Sequence, residues 1–150
     1  MKISLDQIKK LREQTKAGVM DCRKALRQAQ GDFKKAKERL KEKGVMMAQK
    51  KKGRETKAGL IEAYTHNNGQ VGAMVKLRCE TDFVSQTKDF KRLAHELAMQ
   101  TAAMEPKNVR ELLEQEYIRD PKKKIKDLIK EIIAQVGENV KIEEIKRMQI

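Results

Sequence analysis

Val71-Gly72-Ala73-Met74-Val75-Lys76-Leu77-Arg78-Cys79 sets Val71, Ala73, Val75, Leu77 and Cys79 at every second position. A period of two sends successive side chains to opposite faces, so this run is expected to be a strand with one apolar face. Upstream, Gly59-Leu60-Ile61-Glu62-Ala63-Tyr64-Thr65 is also strand-like, and His66-Asn67-Asn68-Gly69 separates the two. Asn-Gly is a strong hairpin signal, because both residues tolerate positive φ. Downstream the period becomes helical: Phe90, Leu93, Leu97 and Thr101 follow one face, with Ala94 and Ala98 beside them, until Pro106. Asn108 can cap a further helix bearing Val109, Leu112 and Leu113. Asp120-Pro121 reads as a cap and first helical position for a helix with Ile125, Leu128, Ile129, Ile132, Ile133 and Val136 inward, closed by Gly137. Val140-Lys141-Ile142-Glu143-Glu144-Ile145 is strand-like again. Strands at both ends with helices between predict an α+β layer: a three-stranded antiparallel sheet covered by helices.

Before residue 54 the pattern is entirely helical. Ser4 and Gln7 have the spacing of a capping box, in which each side chain satisfies a free backbone donor at a helix start. Leu5, Ile8 and Leu11 then share one face, and Thr15-Lys16-Ala17-Gly18 interrupts it. Cys22, Ala25, Leu26 and Ala29 form a second apolar stripe that ends at Gly31. Asp32 can cap a third helix with Phe33, Ala36 and Leu40 inward, ending at Gly44. Charge marks the same division. Residues 1–53 hold 17 Lys plus Arg against 6 Asp plus Glu, a formal +11, whereas residues 54–150 hold 18 against 16. The step falls at Lys50-Lys51-Lys52-Gly53-Arg54, which reads as a boundary between modules or a solvated linker. Two domains are expected, a three-helix module over 1–53 and an α+β core over 54–150. Three helices in so short a module bury little core, which suits docking better than catalysis.

Composition excludes several classes. No stretch approaches the ~20 apolar residues of a membrane span, and Met1-Lys2-Ile3-Ser4 has no hydrophobic signal region. Cys22 and Cys79 give no disulfide framework. The expectation is a soluble, cytoplasmic protein. No catalytic constellation emerges, and no cofactor or metal is expected. His66 reads as a turn residue and His95 as a helical one, and the two Cys and two His lack zinc-ligand spacing. Neither a Gly-x-Gly-x-x-Gly run nor a Walker-type loop is present. Cys79 falls on the apolar face of its strand, where packing suits it better than attack.

One stretch fits none of these patterns: Arg78-Cys79-Glu80-Thr81-Asp82-Phe83-Val84-Ser85, where strand hands over to helix. In one reading Thr81 or Asp82 caps the helix and Phe83 drops into the core. In the other, a short element at a strand end holds a rigid aromatic out toward a partner, the usual form of an interface anchor. Periodicity does not choose between them.

Three segments carry a family resemblance. Residues 11–26, Leu-Arg-Glu-Gln-Thr-Lys-Ala-Gly-Val-Met-Asp-Cys-Arg-Lys-Ala-Leu, resemble the N-terminal signature of bacterial elongation factor Ts. Cys79-Glu80-Thr81-Asp82-Phe83-Val84 resembles that family's second signature, and Gly137-Glu138-Asn139-Val140 its third. Their order and spread over nearly the whole chain make the resemblance specific. It implies guanine nucleotide exchange on the GTPase elongation factor Tu during translation, by a protein that is not an enzyme. It also implies a ubiquitin-associated-like three-helix domain ahead of an α+β core of the dimerisation type. On this resemblance Thr81, Asp82, Phe83 and Val84 would dislodge magnesium from the GTPase, with Phe83 wedging between its helices and Asp82 positioning the turn. Arg12, Val19, Met20 and Arg23 would grip another face of the same GTPase domain. Two departures stand out. Longer members carry a second core subdomain and a helical hairpin, for which there is no room between Ala103 and Val136, and Val19 and Arg23 replace the more usual Met and Lys. A homodimer is compatible with the resemblance.

The rival class is a basic nucleic-acid-binding protein, suggested by the +11 module. With two Tyr, three Phe and no Trp the chain offers few platforms for base stacking. Neither stable nucleic-acid binding nor membrane association is therefore expected, and the charge reads as helix surface that steers onto an acidic partner. A thiol enzyme would rest on Cys79 alone.

Overall fold

A computed structural model describes residues 2–66 and 68–150, so Met1 and Asn67, the latter in the expected hairpin turn, lie outside the described residues. Three helices come first: α1 (Leu5–Thr15), α2 (Val19–Gln28) and α3 (Phe33–Lys51). The Ser4–Gln7 capping box is present, and the Asp32 side chain accepts from the backbone N–H groups of Lys34 and Lys35. Ile8, Leu11, Cys22, Ala25, Leu26, Ala29 and Ala36 form their core, with Phe33 and Leu40 packed against it. Leu5 departs from its expected stripe and is exposed. It lies in the first turn of α1, ahead of the buried Ile8 and Leu11.

The third helix runs through Gly44, contrary to the expected stop. An α-carbon hydrogen is what α7 (Ile125–Val136) requires there: a Cβ on Gly44 would sit 3.1 Å from Cβ of Ala134. Gly44 is thus a point of close helix approach and not a cap. Beyond it, Met47 and Ala48 pack against the second hydrophobic core. The change from one core to the other therefore falls inside α3, ahead of the lysine run at its end.

The second core lies under a three-stranded antiparallel sheet of order β1-β2-β5, from β1 (Ala58–Thr65), β2 (Val71–Cys79) and β5 (Val140–Gln149). The alternation of β2 is realised: Ala73, Val75, Leu77 and Cys79 are buried. They face α5 (Lys88–Met104), which buries Phe90, Leu93, Ala94, Leu97 and Ala98. Leucine and isoleucine side chains of α7 close one end of this core. Gly59 in β1 is obligatory. Its φ of 151° suits few other residues, and a Cβ there would lie 2.2 Å from the carbonyl oxygen of Leu77.

Two further expectations are corrected. Asp120-Pro121 does not open a helix: β4 (Asp120–Lys124) pairs with β3 (Glu116–Tyr117) in a small hairpin, and α7 begins at Ile125. Proline is tolerated on the edge of such a ribbon, where its missing N–H faces no partner. Asp127 then accepts from the Lys124 backbone N–H at 2.9 Å, so the start of the helix is fixed four residues after the proline. Strand β5 also runs on past Ile145. A register shift opposite Lys76 and Leu77 inserts one residue, which brings Ile142 and Ile145 opposite Leu77 and Val75 despite their odd spacing. Between α5 and α7 stand only α6 (Val109–Glu114) and the β3–β4 hairpin.

Because Gly44 meets Ala134 without slack, Gly44→Leu is expected to lose about 1–3 kcal/mol by overpacking. Gly53→Ala, with nothing within 4 Å of the added carbon, should change stability by less than about 0.5 kcal/mol. Denaturant unfolding of the two variants beside the parent checks both values.

Candidate functional site

The end of β2 leads into a single helical turn, α4 (Asp82–Ser85). Thr81 is its N-cap, with extended backbone and an Oγ1 that accepts from the N–H of Val84 at 3.4 Å. Ser85 donates its hydroxyl to the carbonyl of Asp82 at 2.8 Å, and the Cys79 thiol donates to the carbonyl of Thr81 at 3.2 Å. The turn is anchored from below by Val84 and Ser85, both buried. Phe83 points the other way and is 83% exposed. Between the two readings left open by periodicity, the structure selects the outward aromatic. Val84 supports the turn instead of offering surface, while Thr81 and Asp82 are exposed beside Phe83.

Glu138 secures this turn from across the sheet. Its carboxylate accepts from the backbone N–H of Thr81 at 3.1 Å through Oε1, and from the Thr81 hydroxyl at 2.7 Å through Oε2. The sequence separates the two residues by 57 positions. They meet because Cys79 pairs with Val140 at the end of the β2–β5 ladder. Sequence reasoning quoted Glu138 and Glu80 within signatures without giving either a role, since only the pairing of the strands brings the two segments together.

A second surface lies in the three-helix bundle. Residues 16–18 join α1, which carries Arg12 in its last turn, to α2, which carries Val19, Met20 and Arg23 in its first half. All four side chains are exposed, Met20 by 69%. The Phe83 turn belongs to the sheet side of the molecule, for α4 packs on β1, β2 and α5.

The other reactive side chains are structural. Cys22 and Cys79 are buried in different cores, so they share no metal with each other. No cluster of three or more potential metal ligands occurs among the described residues. The His66 ring lies 3.2 Å from the Tyr64 hydroxyl, and His95 stands edge-on to the Tyr64 ring and 3.6 Å from Glu62. No helix among the described residues is long and apolar enough to cross a membrane.

The structure thus presents an exposed aromatic on a capped, anchored turn, and exposed Arg12, Val19, Met20 and Arg23 on α1 and α2. Residues 80–150 match the family model described as Elongation factor TS. Across the whole chain it is 42% identical to the elongation factor Ts of Thermotoga neapolitana, covering 98% of that protein, and 42% identical to that of Thermotoga maritima, covering 97%. It is 41% identical to the elongation factor Ts of Fervidobacterium nodosum, again across the whole chain and 99% of the relative. The chain belongs to the elongation factor Ts family, the nucleotide exchange factors for elongation factor Tu, which act without being enzymes. The Thermotoga alignment extends over 193 positions, 43 more than the 150 residues present here.

Burial first, and the Glu138 carboxylate second, push the Cys79 thiol up from 9.0 to about 11. The unfolded chain therefore ionises this thiol before the folded one does. The associated stability is present below pH 9 and is lost as pH rises through about 11. Denaturation midpoints measured between pH 8 and 11 should fall more steeply for the parent than for Cys79→Ser, and equal slopes would contradict the assignment.

Proposed function

We propose that this protein releases GDP from elongation factor Tu by a two-surface grip. Residues 1–53 act as the docking module, applying Arg12, Val19, Met20 and Arg23 to one face of the GTPase domain. Residues 54–150 form the core that presents Thr81, Asp82 and Phe83 to another face, where Phe83 wedges between helices and magnesium is dislodged. Val84 serves the same step as the buried root of the turn. The observation that carries this reading is the pairing of an 83% exposed Phe83 with a buried Val84 on one capped turn. Burial of such a ring in a partner contributes about 1.5–3 kcal/mol.

The exchange needs no bond-making by this chain. A factor that binds the empty GTPase more tightly than the nucleotide-loaded form must weaken nucleotide binding by the same factor. Loss of magnesium uncovers phosphate charge that the ion had offset. Each ~1.4 kcal/mol of this coupling is tenfold in nucleotide affinity. GTP, binding next, displaces the factor by the same reciprocity. The place of action is the cytoplasm, where the partner works.

A homodimer is a further element of the proposal, supported by the open face of the sheet. Ile61 and Met74 are exposed, and their pairing partners set them on one face with Met148. A second copy of the same face would cover these side chains. Light scattering should then give twice the chain mass, and Met74→Lys should give a single chain; a parent that scatters as a monomer would refute the dimer.

Stopped-flow release of fluorescent GDP from elongation factor Tu tests the exchange mechanism. Saturating protein should accelerate release with no phosphate formed. Phe83→Ala should melt like the parent, within about 0.5 kcal/mol for an exposed side chain, and should slow release at least about tenfold, the effect of an interface anchor. Met20→Ala and Arg12→Ala should instead raise the concentration needed for half-maximal acceleration. A Phe83→Ala protein that exchanges as fast as the parent would sink the wedge.

A further inference from the structure

The residue after Glu138 is tied to the segment that leaves α3. Asn139 is buried, and its side-chain Nδ2 donates to the carbonyl of Arg54 at 2.8 Å and to that of Lys52 at 3.3 Å. These carbonyls belong to the segment that leaves α3. The Asn139 backbone N–H donates to Glu80 Oε1 at 2.8 Å, and the same oxygen receives Arg54 Nε at 3.0 Å. Two consecutive residues at the head of β5 therefore hold two different things. Glu138 grips the N-cap of the Phe83 turn, and Asn139 grips the exit of the helix that carries the docking module.

We infer that Glu138 and Asn139 are positioning residues for exchange, together fixing the angle between the docking corner and the Phe83 turn. The inference rests on the two-surface reading above and adds the device that makes the two surfaces act together. Thr81 has two donors on its cap side, and Glu138 is the acceptor of both. Holding the hydroxyl hydrogen toward Glu138 leaves an Oγ1 lone pair for the N–H of Val84, so the direction of α4 is set at its first residue. Phe83 lies two residues on and inherits that direction. Asn139 supplies two N–H groups to two carbonyls. A carboxylate of the same shape supplies none and would place oxygen against oxygen. Neither residue needs to touch the GTPase.

A double-mutant cycle on the full chain tests the inference. Fluorescent-GDP release from elongation factor Tu is read as two quantities, the maximal rate and the concentration giving half of it. Glu138→Ala is expected to lower the maximal rate about tenfold, the loss of hydrogen bonds to a charged group. The half-maximal concentration should stay within about twofold, because the docking corner is untouched. Combined with Phe83→Ala, the same change should cost less than about twofold more, since there is no ring left to aim. Glu138→Gln keeps one acceptor and should recover part of the rate. It also carries the cycle if the alanine variant does not fold. Asn139→Asp should alter both quantities, because it frees the linker as well as the strand head. Full additivity of Glu138→Ala with Phe83→Ala would overturn the inference, as would parental rates in both Glu138→Ala and Asn139→Asp. A Phe83→Ala protein with parental rate would overturn the wedge itself, an outcome distinct from the other two.

Discussion

The antiparallel pairing of β2 with β5 joins Cys79 to Val140, and the candidate site hangs on that last rung. Glu80 and Thr81 follow Cys79, while Asn139 and Glu138 precede Val140, so an antiparallel ladder necessarily brings the four side by side. A contact of such high sequence separation carries the loop-closure entropy of everything between, including α5, α6 and α7. The buried Val75, Leu77, Cys79, Val140 and Ile142 side chains that face the helices offset it. The polar bonds to Thr81 and Asn139 do not hold the sheet together. They use the sheet's register to fix a turn that has little hydrophobic support of its own, only Val84 beneath it.

How much of this was legible in the sequence differs by element, for physical reasons. Where one periodicity operates and one face is buried, as in β2 and α5, the reading and the structure agree. The caps at Ser4, Asp32 and Asn108 were legible because each satisfies backbone donors within three residues of itself. Gly44 was misread because glycine in a helical pattern has two uses, as a terminator and as a gap for a neighbouring helix. The neighbour, Ala134, lies 90 positions away and leaves no local mark. Asp120-Pro121 failed similarly, for a proline suited to a first helical turn is equally suited to the edge of a ribbon. In β5 the inserted residue broke the period of two, so the strand seemed to end where only its phase had changed. At the site, the outward direction of Phe83 was undecidable from spacing alone. Thr81 and Asp82 both suit a cap, and only the burial of Val84 and Ser85 fixes which side of a four-residue helix faces the solvent.

The charge of the chain belongs to the same design. Within residues 2–53 the only ion pair among the described residues joins Lys43 to Asp21, so the lysine surplus there is not neutralised locally. In the core, by contrast, Lys124 and Lys126 share Glu114, and Lys76 pairs with Glu144 across strands. Exposed pairs of this kind add little stability. Their arrangement instead decides where the field of the protein is positive: over the three helices, and hardly over the sheet. A positive module raises the rate of encounter with an acidic surface, and the effect reaches about 8–10 Å from the charges at physiological salt. Within that range the first module presents a net positive field to an acidic surface, while the charges of the core nearly cancel.

An exposed phenylalanine is unfavourable in the free protein, and the turn beneath it explains why it is worth keeping in place. A flexible loop would reach the same interface but would lose the freedom of each ordered residue on binding, about 1–2 kcal/mol of backbone entropy apiece. In α4 that loss was met during folding, by the Thr81 cap, the bond from the Ser85 hydroxyl to the Asp82 carbonyl and the carboxylate of Glu138. In the proposed contact, burial of the ring then carries no cost of ordering the turn. The same rigidity makes direction matter, since a ring on a fixed arm enters only where the arm is aimed. Glu138 holds the N-cap of that arm on one side of the strand head, and Asn139 holds the carbonyls of Lys52 and Arg54 on the other, so in the proposed contact this adjacent pair aims the ring.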